Sequence, residues 1–227
     1  MPVLLVQSGQ AAMPSFSASL PVVATAGNLL VSVFGRNDNA NPPSVSTPGW
    51  TRAAGNAYCN AHPSFGGRSA LWYKVASGGE QTVTYGPQQG KVIIAEFTGF
   101  GSNLAEIVGA RAEANSISGT AISLETTPGV PAFVIGGVAN RLNNAGSTLT
   151  ADLGTFRVPT GSLPFGGGNN IPALLWRESL DGALVSLDAT QGGGTQDGYW
   201  WGMQIAAFAL PLGGADTWLP PMDAVSL

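Results

Sequence analysis

Short runs rich in Val, Ile, Leu, Phe and Thr recur along the chain, separated by Gly, Pro and Asn. Within them apolar and polar residues alternate: in Lys91–Thr98 the positions Val92, Ile94 and Glu96 fall on one face of an extended strand. Period two broken by frequent turn residues is the pattern of an antiparallel sandwich or barrel. It predicts strands near 3–8, 15–23, 28–36, 50–58, 69–76, 81–85, 91–98, 105–113, 118–126, 132–140, 147–157, 172–179, 183–189 and 199–211. Leu104, Ile107 and Val108 have helical spacing, but the segment lacks a strong cap and runs into a Ser/Gly stretch, so the strand reading is preferred there.

The strands repeat. Leu29–Val33 falls on Phe133–Gly137 at an offset of 104 residues, and Leu71–Trp72 falls on Leu175–Trp176 at the same offset, as does Ser19–Leu20 on Ser123–Leu124. Ile94–Phe97 meets Ile205–Phe208 at an offset of 111, the excess lying in the glycine loop Gly192–Gly194. Two halves, 15–100 and 119–212, are expected to share one strand order. Each is too small to bury a stable core alone, so they should close on each other as one domain over 1–212. The expected fold is all-β, a jelly-roll-like antiparallel β-sandwich built from two similar halves. Val31, Leu71, Ile94, Ile135, Leu175 and Ile205 are expected to share one core, with Trp72 and Trp176 as twins within it. Residues 213–227, GGADTWLPPMDAVSL, read as an extended C-terminal arm that needs a surface to lie on.

Charged residues make up only 10% of the 227, against about 25% in ordinary globular domains. Much of the surface must then be Ser, Thr, Asn, Gly and small apolar groups, which suits packing against neighbours. The net charge of −4 and nine scattered Lys and Arg give no basic stripe, which argues against nucleic acid as a partner. No apolar run approaches the ~20 residues of a membrane span, and MPVLLVQSGQ lacks the positive region of a secretion signal. The expectation is synthesis in the cytoplasm without membrane association. With a single cysteine, Cys59, stability has to come from packing.

Candidate chemistry is sparse. Cys59 and His62 lie three residues apart, but two ligands make no zinc site and no nucleophile pattern meets the lone histidine. Glu96, Glu178, Asp181 and Asp188 are the acids available for glycosidase work, which needs two carboxyls held across one sugar bond. Glu96 shares its face with Val92 and Ile94, so burial is expected, with a partner such as Arg36 or Arg111. Its repeat counterpart is Ala207, which supplies no second acid. The acidic turns lack the spacing of a calcium loop, and the runs Gly166–Gly168 and Gly192–Gly194 lack the Lys and helix of a phosphate cradle. No catalytic residue, metal or cofactor is expected. Aromatic faces stack on sugars and anchor interfaces, so Trp50, Tyr199, Trp200, Trp201 and Trp218 are the candidate carbohydrate- or partner-binding residues.

The strings AGNLLVSVFGR, PGW at Pro48–Trp50, RSALWYKVASGGEQTVTYG and KVIIAEFTGF together resemble a module of phage and prophage virion proteins. The resemblance covers roughly residues 15–100, with a weaker echo in 132–212. It implies a non-enzymatic sandwich of the tail-fibre, tail-tip or capsid-decoration kind, displayed on the capsid or tail as a symmetric oligomer. Its partners would be other virion proteins, copies of itself and host surface glycans, and its place the virion after synthesis in the host cytoplasm. The chain departs from long fibre proteins in lacking coiled-coil heptads and collagen-like repeats. The alternative, read from residues alone, is a carbohydrate-binding module using Trp50 or Tyr199–Trp201.

Overall fold

The computed structural model describes residues 2–36, 44–54, 57–59, 67–86, 90–100, 107–115, 121–140, 149–151, 171–191 and 201–211. Among them every regular element is a strand. The first half holds β1 (Leu4–Ser15), β2 (Ser17–Ser19), β3 (Leu29–Arg36), β4 (Thr51–Arg52), β5 (Ala57–Cys59), β6 (Gly67–Val75), β7 (Thr82–Thr84) and β8 (Gly90–Thr98). The second holds β9 (Ile107–Asn115), β10 (Ala121–Thr126), β11 (Ala132–Asn140), β12 (Leu149–Ala151), β13 (Ile171–Ser179), β14 (Val185–Gln191) and β15 (Trp201–Ala209). The protein is an all-β sandwich of antiparallel sheets. Of the 104–114 segment the described part, from Ile107 on, is strand, as the missing cap suggested, and 104–106 lie outside the described residues.

The two halves share their pairing order. In the first, the sheet runs β1-β8-β3-β6-β4, with β5 also on β6; in the second, β9-β15-β11-β13 repeats the first four places. Outside these lie β2-β7 and β10-β14-β12. The Val45↔Tyr85 bridge matches the Leu149↔Gln191 pair of the second half. Even an irregularity recurs. Val6 is skipped between Leu5↔Phe97 and Gln7↔Glu96, and Val108 is skipped between Ile107↔Phe208 and Gly109↔Ala207. The bulge therefore sits at the same place of the pairing order in both halves.

Four layers enclose three apolar cores. The inner one joins the halves: Leu29, Val31, Val33, Leu71, Ala95 and Phe97 face Phe133, Ile135, Leu174, Trp176, Ala206 and Phe208. Two ring contacts there are copies of one another. Tyr73 meets Phe208 at 5.1 Å and Trp176 meets Phe97 at 5.5 Å, both edge-on. Leu30, Phe34, Val92 and Ile94 instead pack under β2 and β7, and Val134, Leu175, Met203 and Ile205 pack under β10 and β14. β8 reads as the nearly unbroken run VIIAEF because both of its faces are covered.

Two expectations about the core are corrected here. Val31, Leu71 and Ile135 lie in the inner core, Ile94 in the outer core of the first half, and Leu175 and Ile205 in that of the second. Trp72 and Trp176 are not twins. Val33 pairs with Leu71 and Gly137 with Leu174, so the β6 to β13 relation is one residue short of the offset carried by β3 and β11. A one-residue slip exchanges the faces of a strand. Trp176 therefore corresponds to Tyr73 in the inner core, and Trp72 to Leu175 on the outside.

Candidate functional site

Glu96 is fully buried. Its partners are neutral: Gln7 Nε2 donates to Oε2 at 2.5 Å, while Thr25 N and Asn28 Nδ2 donate to Oε1 at 2.8 and 2.6 Å. The expected arginine is not what holds it. Leu30 pairs with Glu96, which sets Arg36 six residues further along β3, about 20 Å away at the strand rise. Arg111 belongs to the other sheet, opposite Ile205. In the second half the corresponding positions are Gly109, Ala132 and Ala207. A Cβ on Gly109 would come within 2.1 Å of Thr126 Oγ1, so a side chain there would force Thr126 to move.

The other three acids are also engaged locally. Glu178 Oε1 accepts from Val3 N at 2.6 Å. Asp181 closes a turn by accepting from Ala183 N at 3.0 Å, which chiefly holds its carboxyl below the usual range. Asp188 accepts from Ser186 Oγ at 3.0 Å on the solvent face of β14. Glu96 and Glu178 lie on opposite sides of the β1-β8-β3-β6 sheet, so they cannot flank one glycosidic bond. Among the described residues no three His, Cys, Asp or Glu side chains gather, and no helix is long and apolar enough to cross a membrane.

Among the described residues, recognition-type side chains gather at the corner where the Pro48–Arg52 segment meets β6. Gly49 takes φ 83°, a left-handed turn that L side chains rarely adopt. The turn lays Thr51 and Arg52 against Tyr73 and Trp72. Arg52 Cζ stands 5.0 Å over the Trp72 ring, a cation–π contact. Lys74 Nζ donates to Pro48 O at 3.3 Å and pairs with Glu80 Oε1 at 2.8 Å. Burial alone would raise the Glu80 carboxyl, but hydrogen bonds from Lys74 and Ser77 outweigh it and hold the group at about 2. Trp50 and Trp72 are half-buried against the outer core of the first half. Trp72 Nε1 is enclosed and has no hydrogen-bond partner. The corner thus gathers two half-buried indole rings and an exposed guanidinium on one face of the sheet.

Of the candidate residues, the structure puts Trp50 in this corner. Trp201 opens β15 in the other half, paired with Asn140 and Asn115, so the two do not share a sheet. Tyr199, Trp200 and Trp218 lie outside the described residues, as does His62; Cys59 ends β5 opposite Gly67. Sequence reasoning missed Arg52, Trp72 and Lys74. The available signal was period two in β6, which puts Trp72 and Lys74 on one face, opposite Leu71 and Tyr73. Comparison with protein families, curated proteins and solved structures finds no match.

Proposed function

We propose that this chain is a non-enzymatic structural protein of a phage or phage-like particle, displayed on the capsid or tail as an oligomer. One observation supports the reading most. The segments that carry the resemblance to virion modules are adjacent in space: GNLLV in β3, KVIIAEF in β8 and ALWYKVA in β6 are neighbouring strands, with PGW folded onto β6. They form one sheet and its corner, as the parts of one module would. The strand orders also suit a jelly-roll reading of each half, an architecture that capsid and lectin domains share. Glu96 and Asp181 hold a loop and a turn, and Glu178 holds the backbone of Val3. Mass spectrometry of purified particles tests the reading: stoichiometric recovery of this chain is expected, and its absence from intact particles overturns it.

A second reading, a carbohydrate-binding module, is favoured by the half-buried rings of Trp50 and Trp72 on the corner where exposed Arg52 stacks on Trp72. The two are compatible, because a particle protein that touches a host meets surface sugars.

A further inference from the structure

We infer that the C-terminal arm, from Leu212 on, lies on an apolar patch of its own chain formed by Val130, Leu180 and Leu184. Among the described residues these are the well-exposed large apolar side chains of the second half, at 39%, 69% and 55%. They come from two turns at one end of it. Gly129 N donates to Gly182 O at 3.0 Å and so joins the turn between β10 and β11 to the turn between β13 and β14. Gly182 takes φ 66°, and a Cβ there would meet Val130 N at 2.5 Å, so glycine is what lets the turns come this close. Ala183 N donates to Asp181 at 3.0 Å and holds the second turn in shape. A patch fixed in this way has little freedom left to lose on binding.

The path of the chain decides the occupant. Leu210 N donates to Pro131 O at 2.8 Å, so the chain leaves β15 beside Val130, at the end of the sandwich that carries the patch. The first half continues its matching strand otherwise: after β8, Phe100 turns into the inner core and meets Phe133 at 5.4 Å. Pro211 holds the place of Phe100, and it is exposed. The sequence then brings Trp218, Leu219, Met222, Val225 and Leu227. Seven residues separate Trp218 from Pro211, a reach of up to about 25 Å. Charge does not draw the arm here, because Asp181 on the patch has the sign of Asp216 and Asp223 in the arm, and the arm carries no Lys or Arg. The contact is apolar.

Three side chains make a weak contact, so the covalent tether decides between this arm and that of a second copy. A short flexible linker holds an arm at an effective concentration on the order of millimolar, at which a contact of about 1 mM affinity is roughly half occupied. Between separate copies at about 10 μM the same contact would be occupied roughly 1% of the time.

The test is hydroxyl-radical footprinting of the full chain, read by mass spectrometry. Leu4 and Leu184 are the same side chain at nearly the same exposure in the described fold, 53% and 55%. In the wild type Leu184 is expected to be labelled about half as much as Leu4, the ratio that half occupancy gives. Trp218→Ser combined with Leu219→Ser should raise labelling of Leu180 and Leu184 about twofold and leave Leu4 unchanged. Reciprocally, Leu180→Lys with Leu184→Lys should raise oxidation of Met222, with circular dichroism as the check on folding. Should the lysine variant fold poorly, the arm variant still decides, because it changes no residue of the sandwich. Labelling of Leu180 and Leu184 that the arm variant does not alter overturns the inference. Protection of Leu184 that deepens as the protein is raised from about 1 to 100 μM puts a neighbour's arm on the patch and overturns it too.

Discussion

Replacing Glu96 by alanine removes the acceptor for three hydrogen bonds at 2.5–2.8 Å inside a fully buried site. Hydrogen bonds to a charged group contribute about 1.5–3 kcal/mol each, and an orphaned buried donor costs about 1–3 kcal/mol more. The losses are uneven. Gln7 Nε2 keeps Val22 O as a partner, and Thr25 lies at the exposed surface. Asn28 Nδ2 is left buried and unpaired. The net cost of Glu96→Ala should be about 3–5 kcal/mol, which lowers Tm by roughly 10 °C or more in a chain of this size. The second half indicates the remedy, because Ala132 and Ala207 occupy the places of Asn28 and Glu96. Asn28→Ala added to Glu96→Ala deletes the orphan, so the double variant should be more stable than the sum of the singles by about 1–3 kcal/mol. Urea unfolding of wild type, both singles and the double closes the cycle. Strict additivity, or a loss below about 1 kcal/mol for Glu96→Ala, would refute the account of Glu96 as the anchor of this network.

The slip between β6 and β13 makes the two tryptophans unequal. Trp176→Ala, at an inner-core position 7% exposed, should cost about 3–5 kcal/mol. Trp72→Ala gives up a half-buried ring and a cation–π contact and should cost clearly less, so equal losses by thermal unfolding would restore the twin-core reading. Because hydrogen bonds hold the Glu80 carboxyl at about 2 against an ordinary value of 4.5, its contribution is complete above pH 4.5. That contribution is lost as the pH falls toward 2. Glu80→Gln should remove this part of the acid slope in a pH series of denaturation curves, and a slope unchanged by the substitution would count against the Lys74–Glu80–Ser77 cluster.

The strands and the repeated strand order were legible because they depend on local pattern. Period two in residues 91–98 and the shared frame of Leu29–Val33 with Phe133–Gly137 both survive in the structure, as does the alignment of Glu96 with Ala207. The Leu-Trp match was misleading for a physical reason. Composition is similar on both faces of a strand covered on both sides, so a dipeptide can match while its register is one residue out. Only the pairing of Leu71 with Val33 and of Leu174 with Gly137 reveals the slip. The three cores were hidden likewise, since an apolar residue does not state which neighbouring layer covers it. Glu96 was legible as buried, but its partners were not, because Gln7, Thr25 and Asn28 arrive from two other segments as neutral donors. The corner at Trp50 was half legible: PGW marked it, while Arg52 and Trp72 needed the β4 to β6 pairing to bring them together.

Two halves with one strand order separate what the scaffold requires from what it merely carries. The bulge at Val6 and Val108, the sheet order and the Tyr73–Phe208 and Phe97–Trp176 ring pairs occur in both halves, so they belong to the frame. The Glu96 network has no counterpart in the second half, where small apolar residues complete the same layer. Val6 stands exposed while Val108 packs against a core. A frame that closes with Gly109, Ala132 and Ala207 does not need a buried carboxylate to fold, and burying one is costly unless hydrogen bonds offset it, as those from Gln7, Thr25 and Asn28 do for Glu96. What depends on it here is the position of the Val22–Thr25 loop beside the β1 edge. The polar groups that distinguish the first half therefore converge on holding the Val22–Thr25 loop against β1 and β8.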